Sequence, residues 1–176
     1  VQNVANSMGG TGYGGGIATF RTPQIYAAEN RLEANVALGV GPNGQGGGMY
    51  LNGSENMATV DWQVINNEVI SNVAVFQLTD ADNTYCAGGG LRLWISVEAE
   101  NAALTLTGNL VDGNAAISGQ ALEFDGPRVE GGGASVVGFA TAEIDDNRII
   151  RNLGAERISS RAGPDGWGGA IEGGGL

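Results

Sequence analysis

An all-β fold of stacked, parallel strands is predicted by three features that recur in step along the chain. The first is a pair of asparagines five residues apart, found four times: Asn30 and Asn35, Asn67 and Asn72, Asn109 and Asn114, Asn147 and Asn152. The second is an aliphatic residue two places after the first asparagine of each pair, namely Leu32, Val69, Val111 and Ile149. The third is a glycine triplet followed by a strand-like stretch, starting at Gly14, Gly46, Gly88 and Gly131, with a fifth start at Gly168 or Gly173. Successive starts lie about 32 and then about 42 to 43 residues apart, the range in which internal repeats mean solenoids, propellers or arrays.

Each repeat can be read element by element. After the glycines, alternation places Ile17, Met49, Leu91 and Ala134 on one face, with Thr19, Leu51, Leu93 and Val136 two residues later. The intervening residues point the other way: Ala18, Tyr50, Arg92 and Ser135, then Phe20, Asn52, Trp94 and Val137. A second strand ends at the first asparagine and carries two further inward columns. These are Ile25, Trp62, Leu104 and Ala142, and Ala27, Val64, Leu106 and Ile144. Large and small residues share each column, as interdigitating neighbours in one core require. A short third strand is expected around the second asparagine. Helix has no place in this pattern, because Gly and Asn interrupt short β-branched segments every few positions.

The expected architecture is therefore a parallel β-solenoid in which each repeat forms one coil. Four to five coils stacked about 4.8 Å apart would stand roughly 20 to 25 Å tall. Extra residues fall between the triplet and the first asparagine, and again after the second asparagine, in stretches such as 38–45, 77–87, 119–130 and 159–166. Both sets read as loops projecting from the solenoid, where repeat proteins commonly carry binding surfaces. Residues 1–176 form one segment. The run Asn3, Val4, Ala5 reproduces Asn35, Val36, Ala37, and neither end offers a capping segment. A longer parent solenoid, or other chains covering its ends, is the expectation.

Composition narrows the chemistry. The 176 residues include 19 acidic and 8 basic side chains, every basic one an arginine, for a net charge of −11. Such a surface repels phosphate backbones, so nucleic acid is a poor partner. There is no histidine, which removes histidine-assisted nucleophilic chemistry and histidine metal ligation within this chain. Cys86 is the only cysteine, so neither an intrachain disulfide nor a cysteine zinc site can form, and packing is its expected role. No apolar run in this segment approaches the roughly 18 residues of a membrane span.

The triplet followed by an aliphatic residue, and the Asn, aliphatic, Asn motif followed by Val-Ala or Ala-Ala, resemble the right-handed parallel β-helix repeats of bacterial surface proteins. The chain is similar to the polymorphic outer-membrane protein and autotransporter passenger repeats, with their GGAI and FxxN motifs. Residues Gly168 to Ile171 spell GGAI, while Asn67, Asn109 and Asn147 stand where that group favours Phe. The resemblance implies a right-handed β-helix and an extracellular or cell-surface location. It does not select an activity, since the scaffold hosts adhesins, lyases and tailspikes alike.

Three sets of residues carry the functional expectations. The eight paired asparagines form structural ladders, since a carboxamide both donates and accepts and Asn tolerates left-handed backbone. Phe20, Tyr50, Arg92 and Trp94 form a candidate binding face, because flat aromatics beside an arginine stack on sugar rings or anchor a protein partner; the alternative is that a projecting loop or a neighbouring domain covers them. Asp80, Asp82 and Asn83 are hard oxygen ligands that suit Ca²⁺, but they match neither the EF-hand loop nor the nonapeptide of calcium-binding β-rolls, and a solvated turn is the simpler reading. Asp145 and Asp146 with Arg148 or Arg151 are the one set that a polysaccharide lyase could use, but their place beside Asn147 reads as a corner. The function expected is a non-catalytic adhesive or structural stalk that binds carbohydrate or protein at its outer face, with further coils or other chains at its ends. The alternatives are a fragment of a lyase-like carbohydrate-active enzyme and a structural subunit of a larger assembly.

Overall fold

A computed structural model of the chain describes residues 3–7, 11–39, 43–53, 59–76, 85–95, 101–118, 128–156 and 171–172. Every described element is a β-strand. Two short strands come first, β1 (Val4–Ser7) and β2 (Gly12–Tyr13). Four sets of five then follow. The first contains β3 (Ile17–Phe20), β4 (Gln24–Ala28), β5 (Arg31–Glu33), β6 (Val36–Gly39) and β7 (Asn43–Gln45). The second contains β8 (Met49–Gly53), β9 (Val60–Ile65), β10 (Glu68–Ile70), β11 (Val73–Phe76) and β12 (Tyr85–Ala87). The third contains β13 (Leu91–Ile95), β14 (Ala102–Thr107), β15 (Leu110–Asp112), β16 (Ala115–Ser118) and β17 (Arg128–Glu130). The last contains β18 (Ala134–Val137), β19 (Thr141–Asp145), β20 (Arg148–Ile150), β21 (Leu153–Glu156) and β22 (Ile171–Glu172).

Each strand from β1 to β17 pairs in parallel with the strand five places further along, which sorts the described strands into five sheets. Sheet A is β1-β6-β11-β16-β21 and sheet B is β2-β7-β12-β17-β22. Sheets C, D and E have four strands each, beginning at β3, β4 and β5. The registers align the columns read from the sequence: Ile17 with Met49, Leu91 and Ala134, and Ile25 with Trp62, Leu104 and Ala142. The arrangement is compatible with a parallel β-helix.

A repeat holds five strands, not the three expected. The expected third strand is two, because the asparagine corner at Asn35, Asn72, Asn114 or Asn152 bends the chain between sheets E and A. Parts of the stretches read as loops also form strands: β7, β12 and β17 each lead directly into a glycine triplet. Residues 40–42, 77–84, 119–127 and 159–166 of those stretches lie outside the described residues. In sheet B, Ile171 and Glu172 pair with Val129 and Glu130, so Gly173 rather than Gly168 is the sequence counterpart of Gly131.

The core lies between sheets C, D and E, where Leu51, Trp62, Val64, Val69, Leu91, Leu93 and Leu106 are almost wholly buried. Each such side chain stabilises the fold by roughly 1.5 to 3 kcal/mol through its removal from water. Trp62 also satisfies its indole by donating to the Thr22 carbonyl at 2.9 Å. A second, small cluster of buried residues, Ala74, Cys86 and Ala116, is contributed by sheets A and B. Cys86 is thus packed in the interior, its thiol against the Ala74 carbonyl at 3.2 Å.

Between sheets B and C the glycine triplet makes the corner. Gly88 has φ 58°, and Gly14, Gly46 and Gly131 share that left-handed geometry. At the second position the constraint is space: a Cβ on Gly89 would lie 2.2 Å from the Gly132 carbonyl oxygen of the next set. At the asparagine corners the left-handed residue is not the asparagine itself but the residue before it. Glu29, Asn66, Gly108 and Asp146 precede the first of each pair, and Ala34, Ser71, Gly113 and Arg151 precede the second, all with φ between 51° and 66°.

Candidate binding face

The asparagines supply the scaffold on which the outer face is built. Asn30, Asn67 and Asn109 each direct their backbone N–H and side-chain Nδ2 to the Oδ1 of the asparagine one strand further, at 2.8 to 3.0 Å. Asn35, Asn72 and Asn114 do the same in the second ladder. Asn3 extends that ladder by one member, donating to Asn35 Oδ1. Each inner Nδ2 also reaches a carbonyl of the preceding set, as Asn72 does to Leu32 at 2.8 Å. Corner donors that would otherwise be buried without partners are satisfied in this way.

The glycine corner is different, because it brings two outward columns together. Tyr13, Gln45, Ala87 and Glu130 are the last residues of their sheet B strands, on the face opposite Cys86. Just past the triplet, Ala18, Tyr50, Arg92 and Ser135 are the second residues of the sheet C strands. Tyr13 meets Tyr50 with ring centroids 4.5 Å apart, and Phe20 lies 5.2 Å from Tyr13 and 5.3 Å from Tyr50. Further along the same corner, Arg92 Nη1 donates to Glu130 Oε2 at 3.2 Å and to Ser135 Oγ.

Of the four residues expected on the face, only Phe20 is exposed, at 52 %. Tyr50 and Arg92 are buried at 1 % and 5 % exposure, and Trp94 is intermediate. Strand parity fixes the direction of these side chains, but the fold of the corner decides their cover. Burial pushes the Tyr50 phenol up to about 12, with Tyr13 adding to the effect. Asn52 Nδ2 donates to the Tyr50 oxygen at 3.1 Å. The accessible part of the face is Phe20, half-buried Tyr13 beside it, and Asn52, all backed by a fixed Tyr50. Tyr13 was not singled out by sequence reasoning. Its position one residue before a left-handed glycine is the signal that would have found it.

The other sites separate. Asp80, Asp82 and Asn83 lie outside the described residues. Asp145 and Asp146 are exposed, and Asp146, with φ 51°, is the left-handed corner residue. Asp145 Oδ1 accepts the Asp146 N–H at 2.9 Å. Arg151 turns instead to Asp112, donating from Nε to Oδ1 at 2.8 Å and from Nη2 to Oδ2. The Arg151 hydrogen bonds hold the Asp112 carboxyl below the usual carboxylate range. Among the described residues, no three acidic or thiol side chains gather as a metal cluster. Nor is any described helix long and apolar enough to cross a membrane.

No protein-family model, no curated protein and no solved structure matches the chain.

Proposed function

We propose that the chain is a segment of a right-handed parallel β-helix of four to five coils, of the kind borne by bacterial surface proteins. It acts outside the cell as a non-catalytic adhesive or structural stalk whose glycine corner holds a carbohydrate or protein ligand. The parallel pairing of each strand from β1 to β17 with its fifth successor supports the architecture. The observation that carries the binding reading is Phe20, a large aromatic ring half exposed to water yet braced on its inner side by Tyr13 and Tyr50. A ring held in this way loses little side-chain freedom when a ligand stacks on it, so more of the contact energy appears as affinity.

Adhesion of beads coated with the chain to carbohydrate-coated and protein-coated surfaces tests the reading. Phe20→Ala should weaken adhesion to the surface that binds by tenfold or more, the scale of an aromatic hot spot. Equal adhesion by Phe20→Ala and the parent, or adhesion to neither type of surface, would remove the corner as the contact.

A further inference from the structure

Phe20, Asn52, Trp94 and Val137 share one register on β3, β8, β13 and β18, so they form a single column across sheet C that runs along the stacking direction. All four keep access to solvent: Phe20 and Val137 are exposed, and Asn52 and Trp94 partly so. In the neighbouring outward column Tyr50, Arg92 and Ser135 are buried. The first column is thus the accessible ridge of the glycine corner. It is not a feature of a chain end, because β8 and β13, which carry Asn52 and Trp94, are each paired on both sides.

Three properties of the ridge constrain what can lie on it. Its aromatic rings alternate with an amide: Phe20 and Trp94 sit two strands apart, about 9.6 Å at the spacing of paired strands, with Asn52 between them. Asn52 is held in place by its Nδ2 donating to the Tyr50 oxygen at 3.1 Å, and among the described residues its Oδ1 accepts no hydrogen bond. The ridge itself has no charge, and the one charge in the neighbouring column, Arg92, is matched by Glu130 at 3.2 Å. A charged ligand would give up hydration there with no counter-charge to receive it, whereas an uncharged one would not.

We propose that the ridge binds an extended, uncharged, β-linked glycan lying along the stacking direction. One pyranose stacks on Phe20, the next but one stacks on Trp94, and the ring between them hydrogen-bonds to Asn52. Sugars suit this alternation because each ring offers apolar C–H faces to an aromatic and hydroxyls at its rim to an amide. A protein segment suits it less, since the outer face of a paired sheet gives main-chain groups nothing to bond. Val137 continues the ridge without a flat ring, so three sugars are the contacted length. This choice of ligand rests on the glycine corner being the contact surface.

Isothermal titration calorimetry provides the test, with the chain of residues 1–176 and the mono-, di-, tri- and tetrasaccharides of cellulose, chitin, xylan and mannan. Trigalacturonate serves as the acidic counterpart. At least one uncharged series should gain about tenfold or more in affinity from the disaccharide to the trisaccharide, and less than about threefold from there to the tetrasaccharide. Trp94→Ala should abolish the gain at the third ring. Trp94→Leu, which keeps an apolar side chain but no flat face, should do the same with the fold intact by circular dichroism. Binding by none of the uncharged series, no step at the third ring, trigalacturonate bound as tightly, or a step that survives in the folded Trp94 variants overturns the glycan. If adhesion still falls in Phe20→Ala while no uncharged series binds, the corner holds a different ligand and only the glycan is refuted.

Discussion

Along the asparagine corners each stacked strand presents the same side chain in the same hydrogen bonds, while along the outward column of sheet C no two strands present the same residue. Asn35, Asn72, Asn114 and Asn152 are interchangeable in role; Ala18, Tyr50, Arg92 and Ser135 are not. A position recurs unchanged where one geometry serves every level of the stack. It varies where each level meets something different, as Tyr50 meets two aromatic rings and Arg92 a carboxylate and a hydroxyl. The repeated corners hold the fold, and the irregular corner is free to carry a site.

Substitutions sharpen this contrast, beginning with the largest effect. Gly89→Ala places a Cβ 2.2 Å from the Gly132 oxygen and 2.3 Å from the Ala115 carbonyl carbon, both backbone. Neither can retreat without parting the sheets, so a loss of about 4 kcal/mol or more is expected in urea unfolding. Asn72→Ala removes the acceptor for Asn35 and the donor to Leu32, leaving buried groups without partners. At about 1 to 3 kcal/mol for each such group, roughly 3 to 4 kcal/mol should be lost by the same measurement.

Next is an effect of pH on the irregular corner. The Tyr50 phenol has its folded-state value raised from 10.0 to about 12 by burial, so the folded state disfavours its anion. Its contribution is fully present below pH ~10 and is lost as pH rises from there to about 12, on the order of 2 kcal/mol in all. Tyr50→Phe should flatten that part of the stability profile and remove a tyrosine ionisation near pH 12 from the absorbance titration at 295 nm.

A reciprocal pair comes next in size. Ala34 and Gly113 occupy equivalent left-handed positions before the second asparagine, at φ 55° and 63°. A Cβ on Gly113 meets only Ser71 Oγ, at 3.6 Å. Gly113→Ala should therefore cost only about 1 kcal/mol of conformational strain, and Ala34→Gly should gain no more than that, read as opposite shifts in melting temperature. Phe20→Ala closes the series, with a stability loss of no more than about 1 kcal/mol from its contacts with Tyr13 and Tyr50 although ligand adhesion falls tenfold or more. A large stability loss there would make Phe20 part of the scaffold.

Much of this was legible in the sequence because register in a stack of parallel strands is set by alternation, and alternation is visible in residues such as Ile25, Trp62 and Leu104. The strand count was not, because a single left-handed residue divides β5 from β6 and the residues doing so, Ala34, Ser71, Gly113 and Arg151, share no chemistry. Only the asparagine that follows them is constant, and its own tolerance of left-handed backbone draws attention away from the residue before it. Nor could parity reveal that Tyr50 and Arg92 are covered. Their burial depends on the corner at Gly46 and Gly88 folding sheet B residues towards them, a contact between columns that no single column displays.

Native-state amide hydrogen exchange tests most directly whether the repeated corners hold the stack. The backbone amides of Asn67, Asn72, Asn109 and Asn114, each bonded to the next asparagine, should exchange only through global unfolding and share one protection free energy. Asn147 and Asn152, whose N–H groups lack that partner among the described residues, should exchange orders of magnitude faster. Uniformly fast exchange at the four inner asparagines, or equal protection at all six, would contradict the account.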